Sequence, residues 1–341
     1  MITDNLSTKL AIGAAACGLA LVIGGVRLYR RNRARRVERA SENDTQVEAR
    51  TGDQDPIPGE DQPNGPGSQG NMPANASRKN LPWEYFGLLT ALTVPLYLLG
   101  ERKLPLPVNL PASALAFFSS FATAVIIAYR YDGSQGIKEL LKKAVDFKKI
   151  EKKIWYMPSL FLAPAIYALS YLIMRWLGRP LPEPEFSFLV ALPLSIGFLV
   201  EAPLEELGFM GLVIDPLQER WGALRAGLIL GSVWQIWHLI PLIQAHNPAG
   251  WILWHMLEGV ALRILMVWIY NNAGKSVFTS ILVHTTTNVS WAMFPNYGSG
   301  YDPFFTCIIT WLVAGLVIFG WGSKTLARFR FGPAPKAVVT E

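Results

Sequence analysis

Apolar residues in this chain gather into long uninterrupted runs divided by short polar stretches, rather than alternating with the period of two expected of strands. From Leu81 onward the runs approach 20 residues, enough for a helix to cross a hydrocarbon core about 30 Å thick. They predict helices near 83–99, 112–129, 154–177, 186–214, 222–244, 251–270, 277–294 and 304–321. A separate run at 10–28 predicts one more span. It is followed by Arg30, Arg31, Arg33, Arg35, Arg36 and Arg39. A cleavable signal peptide carries its positive charge in front of the apolar stretch; here the charge lies behind, so this run reads as an anchor with its N-terminus outside.

Residues 40–80 interrupt the pattern. They are rich in Glu, Asp, Asn, Gln, Gly, Pro and Ser, with Val47 and Ile57 among the few apolar side chains. Such a stretch buries too little apolar area to offset its ordering entropy and is expected to be a disordered linker. The organisation that follows is an anchor with a basic flank (1–39), a linker (40–80), a multi-span body (81–323) and a tail (324–341). The fold class is all-α, a polytopic transmembrane bundle of about eight helices plus the single-span anchor.

Composition and charge sharpen this picture. Of 341 residues, 51% are hydrophobic and 16% charged, against about 25% charged in soluble domains. The net charge of +6 could suggest nucleic acid, but the basic residues flank hydrophobic runs, as the positive-inside rule requires. No nucleic-acid partner is expected; membrane lipid is. Alternation from an external N-terminus puts the lysine-rich stretch 133–153 and the basic tail on the cytosolic side. The segment 137–154 has apolar residues at helical spacing between lysines and is expected to lie on the membrane surface. Cys17 and Cys307 both fall within apolar runs, which argues against a disulfide framework or a zinc ribbon.

Ionisable residues inside apolar runs are costly and mark candidate sites. Glu201 and Glu205 are four apart and share a helix face, with Glu206 about 100° round. Neighbouring carboxylates disfavour joint ionisation, and such a group can serve as a general base. Trp234 and His238 form a second pair at a spacing of four, His284 and Asn288 a third. His, Asn and Glu converging in a bundle core can position water and stabilise an oxyanion. A fourth group, His255, Glu258 and Arg263, falls on one helix. There His255 and Glu258 can pair, and Arg263 can neutralise a carboxylate on a neighbouring helix.

In this order the motifs resemble the CPBP family of intramembrane proteases, which includes the type II CAAX prenyl endopeptidases and the abortive-infection and bacteriocin-processing proteins. The family pattern is EExxxR, then an aromatic residue four before a His, then HxxxN or HxxxB. Here Glu205-Glu206, Trp234 with His238, and His284 with Asn288 supply it. One position departs: Met210 stands where the family has the arginine thought to hold the second glutamate. Arg263 is a candidate substitute.

The resemblance implies an endopeptidase acting on a peptide or prenylated protein. Glu205 would activate water with help from His238, His284 and Asn288 would hold the oxyanion, and Glu206 would orient the site. A zinc ion held by Glu205, His238 and His284 stays open; a metal-free glutamate mechanism is the favoured reading. Two rival readings also stay open. One is an inactive family member acting as a scaffold, motivated by Met210; the other is a proton-coupled transporter, since intramembrane Glu, His and Arg also mark proton relays. One geometric difficulty accompanies the protease reading. With a helix ending at 214, Glu205 lies about ten residues from that end, whereas His238 lies about sixteen from the start of the next helix. The two are then roughly 10 Å apart in depth.

Overall fold

The computed structural model of the protein describes residues 80–100, 113, 116–184, 187–296, 298, 300–327 and 329–330, all within a unit spanning Asn80–Glu341. The expected anchor, residues 40–79 of the linker and 331–341 of the tail lie outside the described residues. The helices are α1 (Leu81–Leu99), α2 (Ala116–Lys142), α3 (Tyr156–Trp176), α4 (Phe188–Gly208), α5 (Ile214–Trp221), α6 (Ala223–Gln244), α7 (Ala249–Asn272), α8 (Val277–Met293) and α9 (Pro303–Trp321). Among the described residues the fold is all-α, as the apolar runs predict.

Sequence neighbours pack as α6 along α7 and α1 along α2, and α7 also lies along α9, past the intervening α8. The longer-range pairings are α8 against α3 and α4, and α4 against α2. Internal prolines at 95, 164, 193, 203 and 241 are carried within helices, which membrane helices tolerate when neighbouring groups satisfy the freed backbone. Among the described residues, five helices are long and apolar enough to cross a membrane: Lys153–Trp176, Phe188–Trp221, Ala223–Gln244, Ala249–Asn272 and Pro303–Trp321. On α4 the outward side chains Leu189, Leu192, Ile196 and Val200 are all exposed. That is the surface of a helix solvated by lipid tails rather than water.

Two boundaries differ from the sequence expectation. The predicted helix at 112–129 and the surface segment after it join as α2, bent at Gly133 (φ 60°, ψ −150°), followed by 3-10 turns at Lys143–Val145, Phe147–Lys149 and Lys153–Trp155. The second difference matters for the site. The helix expected to stop at 214 continues through a π turn, Phe209–Val213, into α5 and ends at Trp221. The polar residues that suggested an end are satisfied laterally. Asp215 accepts from Tyr270 Oη (3.1 Å) and Lys275 Nζ (2.9 Å), and Gln218 exchanges hydrogen bonds with Asn271 (3.1 and 2.6 Å). Gly222, at φ 78°, then reverses the chain in a single residue. This left-handed conformation disfavours a side chain.

One end of the bundle is tied together by backbone and side-chain bonds. Ala223 N donates to Lys324 O (2.8 Å), and Asn271 and Asn272 reach the carbonyls of Thr325 and Leu326 (2.8 and 2.7 Å). Nearer the middle, Gly208 accepts the close approach of Tyr85, whose hydroxyl bonds Ser120 Oγ at 2.7 Å; a Cβ at position 208 would overlap that hydroxyl and ring. Tyr85 is wholly buried and cannot retreat, so Gly208→Ala is expected to cost about 1–3 kcal/mol through overpacking. The check is the thermal unfolding midpoint in detergent, which should fall; an unchanged midpoint would show slack around Tyr85 that the packing does not reveal.

Candidate active site

The extension to Trp221 removes the depth mismatch between the two halves of the site. Glu205 lies sixteen residues before Trp221 and His238 fifteen after Ala223, on antiparallel helices joined at Gly222. At about 1.5 Å per residue the two positions are level. The structure accordingly brings all five predicted residues, Glu205, Glu206, His238, His284 and Asn288, into one cluster between α4, α6 and α8.

The adjacent glutamates have different surroundings. Glu205, 3% exposed, accepts a hydrogen bond from the Trp234 indole Nε1 on its Oε2 (2.7 Å). Its Oε1 lies 3.9 Å from His238 Nε2, too far for a direct hydrogen bond and within reach of a bridging water. His238 Nδ1 sits 2.9 Å from the Trp234 carbonyl. An oxygen there can only accept, so Nδ1 carries the proton and Nε2 turns its lone pair towards Glu205. The imidazole is the most open group of the set, with 30% of its side chain exposed.

Glu206 is fully buried and doubly held. Its Oε2 accepts from Arg263 Nη1 (2.7 Å) and its Oε1 from His284 Nδ1 (2.8 Å). Arg263 is 0% exposed. Its guanidinium lies 4.5 Å from the Trp234 ring centroid and 5.6 Å from that of Phe209. Its Nε and Nη2 have no oxygen acceptor among the described residues, and the two aromatic faces stand in for one. With Nδ1 committed to Glu206, His284 presents Nε2 to the opposite side, where Glu201 and Glu205 lie. Asn288, one turn further along α8, donates from Nδ2 to Glu201 Oε2 at 3.4 Å.

Glu201, Glu205 and His284 each offer one ligand atom, all within 4.8 Å of one another. Glu201 thus takes the place that the sequence reading gave to His238 in a possible metal set. Two carboxylates and an imidazole whose second nitrogen is already fixed by Glu206 fit a divalent cation with a position left for water.

The fourth sequence cluster divides. Arg263 joins the site, whereas Glu258 accepts from Tyr301 Oη (2.6 Å) and Thr306 Oγ1 (2.7 Å). The expected His255–Glu258 pairing runs through the Tyr301 hydroxyl, 3.5 Å from His255 Nδ1, because His255 stacks on Trp251 (4.9 Å between centroids, 18°).

Residues 187–290, from the start of α4 to the end of the His284–Asn288 turn, match the family described as type II CAAX prenyl endopeptidase, Rce1-like. Every residue of the cluster lies inside that match. A "CAAX prenyl protease 2" from Methanococcus maripaludis is 26% identical over 185 residues, covering 50% of this chain and 67% of the relative. Over that stretch the chain is similar to the CPBP family of type II CAAX prenyl endopeptidases. It is a polytopic membrane protein similar to these intramembrane proteases, and its departure from the family pattern at Met210 has a structural counterpart. Met210 is 1% exposed and packs in the core, while the positive charge on Glu206 arrives from α7. Two contributors carried weaker sequence signals. Trp234 was legible only as the aromatic partner of His238, and Glu201 only as a carboxylate one turn before Glu205.

Proposed function

We propose that this protein is an intramembrane endopeptidase in which Glu205 activates the attacking water. The observation that carries the reading is the unequal treatment of two neighbouring carboxylates. Glu206 has both oxygens committed, to Arg263 and His284. Glu205 has one oxygen on an indole and the other 3.9 Å from His238 Nε2, close enough for one water beside the pair to reach both. A carboxylate with one open oxygen can take a proton from water, and a neutral imidazole beside it can hold that water in line. As an imidazolium with Nδ1 on Glu206, His284 donates from Nε2, and Asn288 from its amide, to the tetrahedral oxygen; Glu206 orients His284. The Arg263–Glu206 pair supports an active site over a scaffold, since it supplies the charge whose absence at 210 motivated that alternative.

Similarity to the CAAX prenyl protease 2 of Methanococcus maripaludis favours a prenylated CAAX tail as substrate. The basic stretches 143–153 and 322–327 are taken as cytosolic by the positive-inside rule, and with them the proposal keeps the C-terminus in the cytosol and the anchor's N-terminus outside. A divalent cation at Glu201, Glu205 and His284 would polarise water or the scissile carbonyl; the residues described supply base, orienting imidazole and oxyanion donors in its absence. The purified protein is expected to cleave a farnesylated CAAX peptide, read by mass spectrometry, and to keep its rate after dialysis against excess EDTA. Loss of cleavage in EDTA with recovery on adding zinc would replace this mechanism by a metal-dependent one. Cleavage confined to unprenylated peptides would remove the CAAX assignment.

A further inference from the structure

The two helices that present Glu205, Glu206, His284 and Asn288 are gripped at one end by the same short segment. Lys143 Nζ donates to the carbonyl of Gly211 at 2.5 Å, inside the π turn that begins three residues after Glu206, where the widened ring disturbs the regular helical pairing. Three residues on, the Asp146 carboxylate accepts from Ser276 Oγ (2.6 Å), Val277 N (3.3 Å) and Phe278 N (3.1 Å). It thereby caps the first turn of α8, two turns before His284. Four residues of chain thus bridge the π turn and the start of α8.

The same segment has the composition of a membrane interface. Leu140 and Ile150 are buried and pin it to the bundle, while Leu141, Val145, Phe147 and Ile154 stand exposed. Interleaved with them are the exposed Lys138, Lys142, Lys148, Lys149, Lys152 and Lys153. Between 138 and 153 seven lysines face three carboxylates. Of those carboxylates, Glu139 is paired with Lys142 (2.8 Å), and Asp146 is turned to α8 with Lys149 at 3.1 Å. Exposed apolar side chains among ammonium groups, at the ends of membrane helices, suit the boundary between acyl chains and anionic headgroups.

We propose that segment 138–154 docks on anionic phospholipid headgroups, and that this contact sets the geometry of the site by holding Lys143 on the π turn and Asp146 on α8. The docking half stands on the segment itself; the coupling half rests on the protease reading. The partner is the lipid surface because only a surface can engage the exposed apolar side chains and the lysines together.

The full chain would be reconstituted in vesicles of phosphatidylcholine alone and of phosphatidylcholine with one third phosphatidylglycerol. Amide hydrogen exchange would be followed at 143–149 and 276–279, and peptide cleavage in parallel. Exchange in both stretches should slow about fivefold or more in the anionic vesicles, with faster cleavage. Lys138→Gln/Lys148→Gln/Lys152→Gln, which leaves the Lys143 and Asp146 contacts untouched, should abolish both responses. Equal exchange in the two lipids, or a lipid response that survives the triple substitution, overturns the docking. Slower exchange with an unchanged cleavage rate overturns the coupling. Absence of cleavage in either lipid counts against the protease reading, and the exchange data still decide the docking.

Discussion

Arg263→Met should leave a protein that is markedly less stable and catalytically silent. The substitution strands Glu206, 0% exposed, without the guanidinium 2.7 Å from its Oε2. Breaking a buried ion pair from one side costs about 3–5 kcal/mol, a large share of the 5–15 kcal/mol that holds a typical domain. The cation also lies against Trp234 and Phe209, so its loss loosens the indole that holds Glu205. Removing both partners separates the two roles. Arg263→Met/Glu206→Gln should regain much of the thermal stability, because a neutral pair no longer buries an uncompensated charge. It should remain inactive, because His284 loses the carboxylate that fixes its Nδ1 proton. A double-mutant cycle on unfolding midpoints in detergent measures the coupling. Additive effects at the two positions would show that the pair contributes nothing as a pair.

The helical body was legible because spans of lipid-facing apolar residues leave little ambiguity, and because His238, His284 and Asn288 sit on such spans at spacings that share a face. The end of the glutamate helix was not. Asp215, Gln218 and Arg220 look like the start of a polar loop, and only their lateral partners Tyr270, Lys275 and Asn271 let the helix continue to Trp221. That continuation brings Glu205 level with His238, so a boundary error of seven residues had become an apparent 10 Å gap in the site. Arg263 illustrates the converse. It lies on a helix with no motif of its own and is conspicuous only as a charge that an apolar helix should not carry; its partner could be read only from the departure at Met210. His255 and Glu258 carried the same kind of signal, and their neighbours Tyr301 and Thr306 come from beyond the expected pair, at the α8–α9 connection and the start of α9.

The largest catalytic effect at unchanged stability is expected from Glu205→Gln. The amide keeps the size of the carboxylate and can still accept from the Trp234 indole, so the bundle should fold and unfold as the wild type does. It cannot take a proton from water, and loss of a positioned general base lowers rates about 100- to 10,000-fold. The most direct measurement is kcat/KM for a farnesylated CAAX peptide with wild type and Glu205→Gln, purified side by side and matched for thermal midpoint. The account predicts a fall of at least about 100-fold at equal stability. Equal rates from the two proteins would remove Glu205 from the chemistry and with it the mechanism proposed for this site.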